Sequence, residues 1–186
     1  MRHAWIFDFD GVLVNTMEGH FACYGQALAE AGIPIDRERF FAQAGMTGRE
    51  MIAYFARAAG VDADPDAIYR RKKEIFEERK PRALPIVSME DLYSTLRASG
   101  ALVAIATGSS RASVQPVIDA LGFAPDALAA ADDVARGKPH PDLFLLAARK
   151  LGVRAEDCIV VEDSEAGIEA ARAAGMKALR FFDTAR

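Results

Sequence analysis

The chain is poor in the features that mark secreted, membrane-spanning or nucleic-acid-binding proteins. It has two cysteines in 186 residues, Cys23 and Cys158, far apart in the sequence. No disulfide framework is expected, and both read as reduced, buried fillers in a cytoplasmic protein. Lysine and arginine number 23 against 27 aspartates and glutamates, a net charge of −4; a nucleic-acid module would carry a basic patch or stripe. No apolar run approaches the ~20 residues of a membrane helix. Asp8 and Asp10 fall where a signal peptide would be apolar. Internal repeats and low-complexity segments are missing, and no exposed apolar stripe stands out, so a monomer is expected. What is present is a 51% hydrophobic share, enough for a core and too much for a disordered or collagen-like chain. The length suits one domain, or one domain carrying an insertion.

Five short apolar runs read as strands: residues 4–9, 102–106, 127–130 (the weakest), 158–161 and 177–181. The better ones are continuous in apolar residues, as parallel strands buried on both faces are. Helical patterns alternate with them at 88–99, 110–121, 139–151 and 164–174, stopping at Gly100, Gly122, Gly152 and Gly175. Ser88 and Asp91 have capping-box spacing. Alternation of strand and helix predicts an α/β fold with a doubly wound parallel sheet. Between the first and second strands lie about ninety residues without a strand, where a crossover needs only a dozen or so. Helices are predicted there at 16–31, 37–43, 47–59 and 65–80, with Pro81 and Pro85 marking the return. The expected division is therefore an α/β core of residues 1–15 and 81–186, with an inserted helical cap of residues 16–80. The dense charges at 70–80 read as a solvated helix face.

Chemistry collects at strand ends. The first strand runs into Asp8-Phe9-Asp10-Gly11, and open α/β sheets bind ligands beyond their strands' carboxyl ends. Two carboxylates so close repel unless a cation lies between them, and Mg²⁺ suits hard oxygen ligands. The second strand ends in Thr107-Gly108-Ser109-Ser110, where hydroxyls and free N–H groups at a helix start suit an anionic oxygen. Lys138, pinned by Pro139, can hold a phosphate as a point charge. The fourth strand ends in a second acidic pair, Glu162-Asp163.

The stretch Ile6-Phe7-Asp8-Phe9-Asp10-Gly11-Val12-Leu13-Val14-Asn15-Thr16 resembles the first motif of the haloacid dehalogenase superfamily. Thr107, Lys138 and Glu162-Asp163 fall where that family's later motifs lie, and the resemblance spans essentially the whole chain. With its helical insert, the chain is similar to the subgroup of β-phosphoglucomutase and sugar-phosphate phosphatases. The resemblance implies that Asp8 is a nucleophile forming an aspartyl-phosphate and Asp10 a general acid and base. It implies Mg²⁺ on Asp8, the Asp10 carbonyl, Asp163 and Glu162, with Thr107, Gly108, Ser109 and Lys138 holding the phosphoryl oxygens. The acid role predicts a dry site that keeps a proton on Asp10. In the cap, His20, Arg49 and Lys72 match positions that face substrate in similar proteins. Many relatives have Asp where Asn15 stands, and Asn15 is expected to cap the following helix.

The expected function is Mg²⁺-dependent hydrolysis of small phosphate monoesters, sugar phosphates above all. The alternative is β-phosphoglucomutase, which presents a lysine where this chain has Ser110. A phospho-accepting receiver domain shares the acidic pocket, hydroxyl and lysine, but lacks a cap between its first strands. Dehalogenating members lack the aspartate two residues after the nucleophile. Larger relatives continue past the last strand, so 177–181 is expected at a sheet edge, and the chain reads as a compact, complete enzyme.

Overall fold

The computed structural model describes residues 3–43, 45–79 and 83–182. Lys80, Pro81 and the final residues 183–186, named in the sequence reading, lie outside them. Five parallel strands form one sheet: β1 (Ala4–Phe7), β2 (Val103–Ala106), β3 (Ala127–Ala129), β4 (Cys158–Glu162) and β5 (Lys177–Arg180), in the order β3-β2-β1-β4-β5. Both acidic strand ends are thus adjacent, because β1 pairs directly with β4, Phe7 opposite Val161. β5 is an edge strand, with exposed Lys177 and Arg180 that discourage edge-to-edge pairing.

Alternate residues of each strand serve opposite faces. Ala4 and Ile6 join Ala104, Ala106 and Val160 under α7 (Asp142–Leu151) and α8 (Glu165–Ala173). Phe7, Val103, Ile105 and Val161 pack under α5 (Val87–Ala98) and α6 (Arg111–Leu121) with Tyr93, Val114 and Ile118. Both faces are covered, so the strands need no polar alternation. A third apolar cluster belongs to α1 (Met17–Glu30), α2 (Arg37–Ala42), α3 (Gly48–Ala59) and α4 (Pro65–Arg79), and joins Cys23, Leu28, Phe40, Ile52 and Ile75. These helices leave and re-enter the sheet side by side: the Asn15 N–H donates to the Leu84 carbonyl at 2.8 Å and the Ile86 N–H to that of Leu13 at 2.9 Å. Gly11, at φ 94°, lets the chain turn sharply out of β1. No helix among the described residues is long and apolar enough to cross a membrane.

Two predicted caps differ. α5 starts at Val87, because the Met89 and Glu90 N–H groups both donate to the Ile86 carbonyl, placing Ser88 inside the first turn. α1 is preceded by Thr16 at its N-cap, and exposed Asn15 lies outside. The Thr16 hydroxyl does not cap the helix either; the active site takes it.

Candidate active site

The carboxyl ends of β1, β2 and β4 and the loop before α7 converge on one buried cluster. Lys138 Nζ donates to Asp8 Oδ1 at 2.7 Å and to Glu162 Oε1 at 2.6 Å, and all three side chains are buried. Glu162 is itself held, since its Oε2 accepts from the Ser164 N–H at 2.6 Å and the Ser164 hydroxyl at 3.0 Å. Ser164 in turn caps α8, accepting from the Gly167 N–H at 3.0 Å. Burial lowers a lysine's pKa, but the two carboxylates hold that of Lys138 above its ordinary value. Asp8 is pushed well upward by burial, with Glu162 and Asp163 adding repulsion and Lys138 opposing.

Asp8, Glu162 and Asp163 can place one oxygen each within 4.8 Å of one another. Three carboxylates against one lysine leave an excess of buried negative charge, and a hard divalent cation such as Mg²⁺ fits that donor set. The Asp10 carboxylate is not in this group, so only its backbone carbonyl remains for the ligand role implied by the resemblance.

Asp10 faces the other way. Its Oδ1 accepts from the Thr16 hydroxyl and lies 3.2 Å from His20 Nε2. Its Oδ2 accepts from the Ser109 hydroxyl at 2.7 Å and the Thr107 hydroxyl at 3.3 Å. Burial alone would raise its pKa, but the contact with His20 and the hydrogen bonds from His20, Thr16 and Ser109 hold it far below the ordinary range. Buried surroundings favour the proton expected on Asp10, whereas the donors that line this pocket favour its carboxylate form. Thr107 and Ser109 spend their hydroxyls on Asp10 here, while Gly108 meets the cap. A Cβ on Gly108 would come within 2.7 Å of the Gly45 carbonyl oxygen and 2.8 Å of that of Met46.

The cap brings His20 and Lys72 into this site. Lys72 Nζ lies 3.0 Å from His20 Nδ1 and 4.9 Å from the ring centres of both Tyr24 and Phe76. Lys72 is buried, so the charged run is not uniformly a solvated face. An ammonium only donates, which makes Nδ1 the acceptor and puts the imidazole proton on Nε2, aimed at Asp10. Burial and the Lys72 charge lower His20; burial lowers Lys72 to about 8. Arg49 is placed elsewhere. It is exposed, ion-paired to Asp66 outside the cavity, where a carboxylate in the first turn of α4 competes for it.

A cavity lies over Asp8 and Asp10, between the sheet edge and the cap. Its far wall is Met17, Tyr24, Phe40, Met46, Met51, Tyr69, Ser110 and Ser113; of these, Met17, Tyr24, Phe40, Met51, Tyr69 and Ser113 were not singled out from the sequence. Glu50 was missed too. It sits at the third position of the Thr47 capping box, and its carboxylate also accepts from the Gly137 N–H at 3.1 Å, across the seam beside Lys138. The Thr-x-x-Glu spacing was the available signal for the cap, but not for the second contact.

Residues 3–175 match the family model of haloacid dehalogenase-like hydrolases. The chain belongs to that family. Among its relatives is fructose-1-phosphate phosphatase YqaB of Escherichia coli, 34% identical over 181 residues, covering 94% of this chain and 93% of the relative. Another is β-phosphoglucomutase of Bacillus subtilis, 30% identical over 186 residues, with 95% and 81% covered. Of solved structures, CbbY from Rhodobacter sphaeroides in complex with phosphate superposes with a TM-score of 0.82 at 31% identity, covering 98% of this chain and 88% of that one. The buried Lys138–Asp8 pair and the acidic end of β4 are thus seen in a family hydrolase, with the α/β core and helical insert expected for it.

Proposed function

We propose that the protein hydrolyses small phosphate monoesters, sugar phosphates in particular, through an aspartyl-phosphate on Asp8. The carrying observation is the division of labour between two carboxylates two residues apart: Asp8 lies against Lys138 in the acidic cluster, while Asp10 faces the cap. Asp8 Oδ1 or Oδ2 would attack phosphorus in line, and the leaving oxygen would take a proton from the Asp10 side. Lys138 would offset charge on the transferring phosphoryl group. A Mg²⁺ ion held by Asp8, the Asp10 carbonyl, Asp163 and Glu162 would supply further positive charge when bound. Residues 16–80 would act as the cap that excludes water during transfer.

Since Asp10 rests as a carboxylate, the proton must reach it. His20 Nε2–H points at its Oδ1, and Lys72 can refill Nδ1, so one proton moves along the chain and Lys72 ends neutral. In the second half-reaction Asp10 takes a proton from the water that opens the aspartyl-phosphate. This relay predicts an alkaline limb in kcat/KM near pH 8, where Lys72 loses its proton. Lys72→Met should lower kcat/KM by about 10²-fold and remove that limb; an unchanged limb in the variant would refute the relay. The same group acts with the opposite sign on stability. Its pKa is about 8 folded against an ordinary 10.5, so the unfolded chain binds more protons between those values, and stability gains as pH rises through them.

The relatives named as a fructose-1-phosphate phosphatase and a β-phosphoglucomutase mark the two outcomes to separate. Ser110, rather than a lysine, follows the second motif, which favours hydrolysis. Incubation with Mg²⁺ and a panel of phosphosugars, monitoring inorganic phosphate, should show steady multiple-turnover release. Conversion of β-glucose 1-phosphate to glucose 6-phosphate without release would mean a mutase instead. A single stoichiometric burst would mean a phospho-acceptor.

A further inference from the structure

Behind the cap loop lies a second cavity of about 140 Å³, in the seam between Thr47–Glu50 and the turn after β3. Of the described residues, Tyr69 alone lines both this groove and the cavity over Asp8 and Asp10. Its ring is seated on bare backbone, since a Cβ on Gly48 would come within 2.2 Å of Tyr69 Cε2. On the cap side, Arg49 lies 5.6 Å and Lys73 5.5 Å from the ring centre. From the core, Ser110 lines the same cavity as Tyr69. Tyr69 lies one turn before Lys72 on α4, so the two side chains share a face.

We propose that Tyr69 is a specificity-determining residue that limits the leaving group to one compact polyol or single sugar ring. This rests on the phosphatase reading above. Beyond the ring, the groove is polar, with Arg49, Glu50 and Asp132 in its walls, and a second sugar ring would find hydrogen-bonding partners there. The tyrosine ring keeps such a ring out. Removing it joins the two spaces into one trough running from Asp8 to the surface.

The test compares fructose 1-phosphate with trehalose 6-phosphate, a phosphorylated disaccharide. The wild type should discriminate against the larger ester by at least about tenfold in kcat/KM, and Tyr69→Ala should shift the ratio of the two by about tenfold towards it. Tyr69→Phe, which keeps the ring, should leave the ratio where it was. Because the readout is a ratio within one preparation, partial loss of folded protein cancels. Calorimetric titration of both esters in an Asp8→Asn background reads the same discrimination as a ratio of affinities, without turnover. If no ester is hydrolysed while the affinity ratio still shifts, the phosphatase reading fails and the wall stands. A wild type indifferent to size, an unmoved ratio in Tyr69→Ala, or Tyr69→Phe behaving like Tyr69→Ala would overturn the proposal.

Discussion

Replacing Asp8 with asparagine is expected to abolish turnover and leave the metal-free protein at least as stable as the wild type. An amide has nearly the shape of the carboxylate, and its oxygen can still accept from Lys138 Nζ at the 2.7 Å now occupied by Asp8. What disappears is the nucleophile's lone-pair charge, and a loss of about 10⁴-fold or more in kcat is the scale seen when a catalytic group that acts as a unit with others is removed. The stability argument runs through the same cluster. Asp8, Glu162 and Asp163 crowd one buried space with a single lysine among them. Asp8 is pushed upward by burial and by its acidic neighbours, so its ionised form is strained in the metal-free protein. Removing that charge relieves the repulsion, and the melting temperature should hold or rise by a few degrees. The stabilisation added by Mg²⁺ should shrink in the variant, because one ligand has lost its charge. Activity above a few per cent of wild type, or a collapse of the melting temperature, would contradict the nucleophile assignment.

The parts legible from sequence were those with a local physical cause. Continuous apolar runs marked β1, β2 and β4, and glycines in the left-handed region close α6 and α7 at Gly122 and Gly152. The short β3 was the weakest reading, because its apolar run is brief; Ala127 and Ala129 join the core cluster beneath α7. The acidic strand ends were readable because the chain direction at a parallel sheet edge is the same for every strand. What escaped depends on partners distant in the chain. Asn15 was expected to cap the first cap helix, but Thr16 takes the N-cap position and its hydroxyl bonds to Asp10 instead, a charged and stronger acceptor. Lys72 sits in a run whose charge pattern describes a helix face but not how deeply its neighbours bury it. Arg49 was placed by resemblance near substrate, yet Asp66, seventeen residues on, holds it in solvent. Tyr69 carries no signal at all in a single sequence, since its importance arises from which two spaces it separates.

Lys138→Met should be the most destabilising of these single substitutions in the metal-free protein. The thioether fills a similar volume beside Phe144, whose ring centre lies 5.1 Å from Lys138 Nζ. It leaves Asp8 and Glu162 buried and facing each other without a counter-charge. Breaking a buried ion pair from one side typically costs about 3–5 kcal/mol, which is a large part of the ~5–15 kcal/mol that holds a domain folded. The sign with pH follows from the stranded acids. Asp8 is already pushed upward by burial and loses the one cation opposing that, so the folded variant binds more protons than the unfolded chain, and its deficit should narrow as the solution is acidified from neutrality. Mg²⁺ should recover more stability in the variant than in the wild type, because it meets three carboxylates with no lysine to oppose it. Activity should stay lost even then, since the ion replaces the charge but not the lysine's grip on the phosphoryl group. The double variant Lys138→Met/Glu162→Gln decides whether the pair is the cause. Removing both charges strands fewer groups than removing one, so the double variant should be more stable than Lys138→Met alone, with chemical denaturation as the measurement. Strict additivity of the two single effects would mean that Lys138 and Glu162 are not coupled, and that something other than the buried pair holds the end of β4 against the catalytic loop.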